Sequence, residues 1–452
     1  MKLTIGNLHT LAEVDATERD WLNGYLTVDG GKRFIDGNWK DAPPIRLYEP
    51  LGSSFPAGLT TLVMRAAEGE GFITVLADGR GFGPQPDPQV DLSWLRDYQR
   101  EATMTAIIKT RGIIQHPTGA GKGHLLVALP VAVPCEWLMV VHRLDLVDQA
   151  IERYERLTGE RVGRIGGGSW SEGRLTCATF ASLSRALKKR EPRVLNLLGR
   201  VGGLMVDEAH TAAALSHYRV LMSCNAYYRI GFSATALART DQRNILTVAA
   251  LGPVIHKLRP DDLIEQGILA KPRIVMTPVE HTSDKATWQG IYGECIVRSN
   301  ARNRAVVEAV KQAPKPCLLF VKEIRHGKNL YKLLSKAGLR ADFVWGNSGS
   351  ALRHGSVKML ERGQLDVLVC SVVFQEGIDI PSLASVVIAS GGRSAIAALQ
   401  RVGRGMRSND GQKTEFEVHD FADRGHNWLE RHTRERLKAY RDQGYEIHAG
   451  SK

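Results

Sequence analysis

The chain has 452 residues, 60 Lys/Arg against 48 Asp/Glu for a formal net charge of +12, and 43% hydrophobic residues. That length predicts two to four domains, and the composition is ordinary for a soluble globular protein. A membrane partner is not expected, because the most apolar stretch, Leu125 to Cys135, is too short and too proline-broken to span a bilayer. No signal peptide is visible at Met1-Lys2-Leu3-Thr4-Ile5, and six scattered cysteines without a C-x-x-C pair argue against zinc or a disulfide framework. Both features fit a cytoplasmic protein.

Charge is unevenly placed. Residues 1–90 carry 8 basic and 12 acidic groups, while the rest of the chain carries 52 and 36. A basic body is the footprint of a phosphate-backbone binder, set against the plainer alternative of a generic basic surface.

In chain order, residues 1–88 read as a small α+β unit. Thr10 to Leu26 has helical character, followed by strand-like pieces at 33–35, 45–48 and 72–76 and turn signals at 37–41 and Pro43-Pro44. Gly81 to Pro88 reads as a linker by composition. From Leu92 the pattern becomes alternating apolar strands and amphipathic helices, the signature of βαβ units and parallel sheets. Strands are expected at 112–115, 137–141, 175–178, 202–206 and 229–232, then at 273–276, 317–321, 342–345, 366–370 and 385–389. Helices are expected at 97–109, 144–156, 301–312 and 327–336. Two such sets imply two similar α/β lobes. The expected division is 1–88, 89–262, 263–425 and a basic helical tail over 426–452.

One loop organises the rest. His116-Pro117-Thr118-Gly119-Ala120-Gly121-Lys122 lies between a strand pattern and a helix pattern. Strand, glycine-rich turn and helix start is the geometry that cradles a phosphate, with Lys122 reaching the β- and γ-phosphates. The P-loop pattern fails at two positions: His116 replaces Gly, and Gly123 replaces the Ser or Thr whose hydroxyl touches Mg²⁺. Further on, Gly203-Leu204-Met205-Val206-Asp207-Glu208-Ala209-His210 delivers two carboxylates at the end of an apolar strand. ATP hydrolysis needs one carboxylate on Mg²⁺ and one to polarise the attacking water, so Asp207 takes the first role and Glu208 the second.

Asp-Glu-Ala-His after a P-loop resembles the superfamily 2 helicases and translocases, and the other motifs follow in order from about Leu92 to Arg407. Leu95-Arg96-Asp97-Tyr98-Gln99 resembles the Q-motif region, and 140–149 and 176–180 resemble motifs Ia and Ib. Gly231 to Ala236 resembles motif III, 317–321 motif IV, 371–381 motif V and 400–407 motif VI. The resemblance implies two tandem RecA-like lobes plus the N-terminal accessory domain, with ATP and Mg²⁺ as cofactors. It implies nucleotide contacts at Arg96, Tyr98, Gln99, Pro117, Thr118, Gly119, Ala120, Gly121, Lys122, Gly123, Gly377 and Asp379. It places Arg404 and Arg407 as arginine fingers and Gln400 near His210, and it gives His210, Ser233 and Thr235 a coupling role. Backbone contacts to DNA are implied at His142, Arg143, Thr179, Lys322 and Ser371, without sequence preference. Residues 233–241, 251–255 and the 34–59 stretch resemble the XPB-like and phage UvsW-like branch, which implies duplex or branched DNA as partner in recombination, repair or replication. The rivals are an RNA helicase, a restriction-system motor and an ATP-gated DNA clamp with weak hydrolysis. Oligomeric state stays open.

Overall fold

The computed structural model describes residues 1–35, 38–235, 243–346, 348, 350–371, 380, 382–392, 403, 406 and 413–450. The chain divides into two compact units, Met1–His116 with Gly121–Lys257, and Pro117–Ala120 with Leu258–Lys452. No helix among the described residues is long and apolar enough to cross a membrane.

The first unit opens with a small sheet in the order β3-β2-β1-β4, made of β1 (Lys2–Ile5), β2 (His9–Glu13), β3 (Ser54–Pro56) and β4 (Val75–Asp78). The single helix expected over Thr10 to Leu26 is instead β2 followed by a helix at Ala16–Tyr25. The local chemistry explains the split. Residues 9–13 alternate, with Thr10 and Ala12 buried and their neighbours exposed, which is a period of two. Asp15 then starts the helix through a capping box, accepting from Glu18 N at 2.8 Å while Glu18 Oε2 accepts from Asp15 N at 3.1 Å. Asn38–Asp41, expected as turn, forms the return strand of a hairpin with Lys32–Ile35.

The N-terminal elements share their core with a later helix. Leu3, Leu22, Phe55, Leu59 and Val63 pack with Leu246, Val248 and Ala249 from the helix Asn244–Leu251. The approach is close enough that a Cβ on Gly58 would lie 2.1 Å from the Val248 carbonyl oxygen. The expected linker is packed as well. Tyr228 Oη donates to Pro84 O at 2.9 Å, and Asp87 N donates to Ala132 O at 2.8 Å.

Among the described residues, the first unit's main sheet has eight strands: β5 (Arg111–Gln115), β6 (Trp137–Val141), β7 (Gly163–Gly166), β8 (Ser169–Trp170), β9 (Leu175–Thr179), β10 (Gly203–Asp207), β11 (Tyr228–Ser233) and β12 (Val254–Lys257). Their order is β8-β7-β9-β6-β10-β11-β5-β12, parallel except for the β7–β8 hairpin. Side chains alternate between two cores. Ile114, Met139, Met205 and Phe232 face one, while Ile113, Leu138, Val140, Leu204 and Val206 face the other. A sheet covered on both faces explains why these strands read as unbroken apolar runs.

The second unit holds β13 (Lys271–Glu280), β14 (Cys317–Val321), β15 (Ala341–Val344), β16 (Val367–Ser371), β17 (Ser385–Ile388), β18 (Glu415–Arg424) and β19 (Glu446–Ala449). Among the described residues these form one parallel sheet in the order β15-β16-β14-β17-β18-β13-β19. The sequence pattern marks no strand at β18 or β19. β18 is masked by its charge: Asp420 and Asp423 lie buried, the first paired with Arg436 at 2.8 Å and the second with Arg302 at 2.8 Å. Arg436 belongs to the expected tail helix, found at Asn427–Asp442, whose inward face also buries Leu429, Ala439 and Tyr440.

Candidate active site

The pairing of β10, β11 and β5 decides what comes together. Asp207 lies opposite Phe232, and Ser233 opposite Gln115, so the carboxyl ends of three adjacent strands lie side by side. Ligands bind at that edge in open α/β sheets. The segments that leave it carry His116–Lys122, Asp207–His210 and Ser233–Thr235.

β5 passes into the loop at His116, which is fully buried. His116 N donates to Ser233 O at 3.1 Å, and its Nε2 lies 2.9 Å from His256 Nδ1 on β12. Burial, helped by His256 and Lys122, pulls His116 down to about 3, so the ring is neutral at physiological pH. The residue that breaks the P-loop pattern therefore ties the loop's root to two neighbouring strands. Gly119 and Gly121 hold positive φ of 93° and 73°, and the helix Lys122–Ala132 starts directly after them. Lys122 Nζ donates to His116 O at 3.1 Å.

The helix Asp97–Lys109 closes on this loop. Arg96 is its N-cap, and Arg96 N donates to Gln99 Oε1 at 3.1 Å. Gln99 is buried, its Nε2 reaches Gly121 O at 3.4 Å, and Tyr98 stands edge-on to His116 with centroids 6.0 Å apart. Arg96, Tyr98, Gln99 and Gly121 are thus gathered beside the start of the helix at Lys122.

At the end of β10, Asp207 Oδ1 accepts from Glu208 N at 2.9 Å. Burial first, then the adjacent Glu208 carboxylate, push Asp207 up to about 6 against the opposing pull of Lys122, the Glu208 N–H and His142. Glu208 has φ of 52°, a left-handed backbone that costs a non-glycine residue roughly 1–2 kcal/mol and clusters at functional sites. His210 Nδ1 lies 3.3 Å from Glu208 Oε2 and 3.3 Å from Ser233 Oγ, and Ser233 Oγ accepts from Thr235 N at 3.2 Å. One chain of contacts therefore runs from Glu208 through His210 and Ser233 to Thr235. Mutual crowding of two carboxylates beside a phosphate loop suits a divalent cation, which takes one or two carboxylates plus phosphate oxygens.

The residues expected on the nucleic-acid face fall in two places. In the first unit, His142 directly follows β6, and Arg143 makes a two-pronged pair with Asp145 at 3.0 and 2.8 Å. Thr179 caps the helix Phe180–Lys188, accepting from Ser182 N at 3.2 Å. His142 also lines a groove of about 360 Å³ with Ser184, Arg185, Lys188, Ser216 and His217. Arg185 and Lys188 were missed in the sequence, because their i,i+3 spacing on a basic helix end reads as a solvated face. In the second unit, Lys322 lies over the Tyr292 ring at 5.0 Å, and Ser371 is buried at the end of β16. Gln400, Arg404, Arg407, Gly377 and Asp379 lie outside the described residues.

Two families match in chain order: Type III restriction enzyme, res subunit, over residues 93–237, and Helicase conserved C-terminal domain over residues 301–409. Together they span more than half of the chain, and the first contains the whole gathered site. In carrying these two domains in this order the chain resembles the superfamily 2 helicases. The chain is 26% identical over 327 residues to the putative DNA 3'-5' helicase Rad25 of Haloarcula marismortui, covering 69% of the chain but 50% of that relative's length. It is 25% identical over 445 residues to the ATP-dependent DNA helicase uvsW of Enterobacteria phage T4, covering 86% of the chain and 83% of the relative. Among solved structures, it resembles the fragment of a putative HsdR subunit of a type I restriction enzyme from Vibrio vulnificus, with a TM-score of 0.57 and 18% identity over 96% of this chain and 81% of that one. That likeness concerns the fold alone.

Proposed function

We propose that this chain is an ATP-driven motor that moves on or unwinds duplex or branched DNA. The observation that carries the proposal is the contact chain Glu208–His210–Ser233–Thr235 built beside Lys122 and Asp207. A pocket that only bound nucleotide would need the loop and Lys122, whereas a motor needs the water-polarising acid wired to a segment that can move. Gln99 takes the adenine, the loop from Pro117 to Lys122 the phosphates, and Glu208 the attacking water. Asp207 would hold Mg²⁺, which would neutralise developing phosphate charge. Gly377 and Asp379 belong to the same site in this reading, and Gln400, Arg404 and Arg407 complete it.

DNA is favoured as the track by the names of the two relatives above and by the basic excess of residues 91–452. His142, Arg143, Thr179, Lys322 and Ser371 serve as backbone contacts, with Arg185 and Lys188 beside the first three. Arg143 must exchange its Asp145 partner for a phosphate to do so, which makes its contribution smaller than that of Arg185 or Lys188. ATP hydrolysis measured alone and then with single-stranded DNA, duplex, a four-way junction and RNA tests the reading. Stimulation by duplex or branched DNA is expected. Stimulation by RNA alone would move the chain to the RNA helicases, and tight ATP-dependent DNA binding without hydrolysis would leave a clamp.

A further inference from the structure

Gly123 is the position where the P-loop pattern asks for a hydroxyl side chain, and the space that side chain would fill is occupied. A Cβ on Gly123 would lie 1.9 Å from Nη1, 2.5 Å from Cζ and 2.9 Å from Nε of Arg153. Arg153 comes from the helix Leu144–Thr158 and is half-buried against the first turn of the P-loop helix. Burial pulls its guanidinium below the ordinary value, and Asp207 is the acid that most supports its charge. A desolvated guanidinium therefore stands between the start of the phosphate-loop helix and the carboxylate at the end of β10. The sequence hides it: Glu152-Arg153-Tyr154-Glu155-Arg156 reads as a solvated, alternately charged helix face.

We infer that Arg153 is a phosphate-binding residue of the nucleotide site, standing where a serine or threonine would stand and meeting the β- and γ-phosphates of a nucleoside triphosphate beside Lys122. The inference rests on the ATP reading above. Gly123 is then the complement of Arg153 rather than damage to the loop. A planar guanidinium offers paired donors to phosphate oxygens, which a hydroxyl cannot. It also brings charge that an ordinary P-loop borrows from its metal, so nucleotide affinity here depends weakly on Mg²⁺. Restoring the hydroxyl does not improve such a site. Because the clash falls on the far end of a flexible side chain, Gly123→Ser evicts the guanidinium and leaves the backbone in place.

The test is equilibrium binding of a fluorescent ATP analogue to the full chain, in excess Mg²⁺ and in EDTA. The wild type should bind in both conditions. Arg153→Met should weaken binding in EDTA about tenfold or more, the worth of a charged hydrogen bond, and less in Mg²⁺. Gly123→Ser should show the same pattern, and the double variant should lose no more than either single change, because both remove one group. Arg153→Lys, which keeps the charge but not the fork, should fall between. A general packing defect would weaken both conditions alike, so the ratio of the two affinities isolates the phosphate role. The inference is overturned if the wild type binds only with Mg²⁺, if Arg153→Met matches it in EDTA, or if the two losses add. If neither the wild type nor Lys122→Ala binds in either condition, the ATP reading itself falls, and the inference with it.

Discussion

The pair Asp420–Arg436 gives the sharpest stability prediction. Arg436 donates Nε to Asp420 Oδ2 at 2.8 Å, Nη1 to Gly392 O at 2.7 Å and Nη2 to Phe421 O at 2.8 Å. Asp420 also accepts from Tyr440 Oη at 3.0 Å, and both charged side chains are buried. Arg436→Met keeps most of the stem volume. It leaves a buried carboxylate with one hydroxyl and its own strand's N–H, and strips a donor from two carbonyls. Removing one partner of a buried ion pair costs about 3–5 kcal/mol, and the orphaned carbonyls keep the value at the upper end. In a unit of this size each kcal/mol moves the midpoint by roughly 2–4 °C, so the transition of the second unit should fall by about 10–20 °C. Calorimetry of the full chain would show it. Asp420→Asn combined with Arg436→Met should recover about 2 kcal/mol, because the uncompensated charge is what costs most. A drop of only about 2 °C for the single change, or a double variant as weak as the sum of both, would refute the reasoning. Arg436 and Arg302 also hold the carbonyls of Gly392 and Ala389, just ahead in sequence of the residues proposed to complete the nucleotide site, Gln400, Arg404 and Arg407.

Three further outcomes are expected. Glu208→Gln should lower DNA-stimulated turnover by roughly 10²–10⁴ while leaving ATP-analogue binding within a few-fold, as measured by single-turnover hydrolysis against equilibrium binding. Asp207 is raised to about 6, so ligand-free protein loses stability as pH climbs from the ordinary carboxylate range to about 6, because the folded state there binds more protons than the unfolded one. Asp207→Asn should abolish that slope and add about 2 kcal/mol above pH 6, allowing for the partly open edge of the site, and unfolding by urea across that range would reveal it. Arg185→Ala and Lys188→Ala should each reduce the slope of log affinity for DNA against log salt by about one, while ATP-analogue binding stays unchanged.

The parts of the fold that could be read in the sequence are those where burial leaves a simple pattern. Strands covered on both faces, such as Trp137–Val141 and Cys317–Val321, appear as apolar runs and lie where expected. β18 was hidden because Asp420 and Asp423 are inside only by virtue of arginines that arrive from helices far along the chain. β2 hides inside a longer helical pattern because a five-residue alternation is brief and only the capping box at Asp15 marks where the helix starts. At the proposed site, the letters of the motifs pick out Lys122, Asp207, Glu208, His210 and Ser233, and the strand register brings the segments that carry them to one sheet edge. His116 and Arg153 left no such mark. One looks like a failed glycine, the other like a surface charge, and only three-dimensional proximity to His256 and Gly123 gives them meaning.

The shared core of the N-terminal elements also sets an order of events during synthesis. Leu59 and Val63 must wait for Leu246 and Val248, the residues they pack against. At about 5–20 residues per second, the stretch between them takes roughly 10–40 s to make. For that interval the apolar flank that Leu246, Val248 and Ala249 later cover stays open to water on the nascent chain.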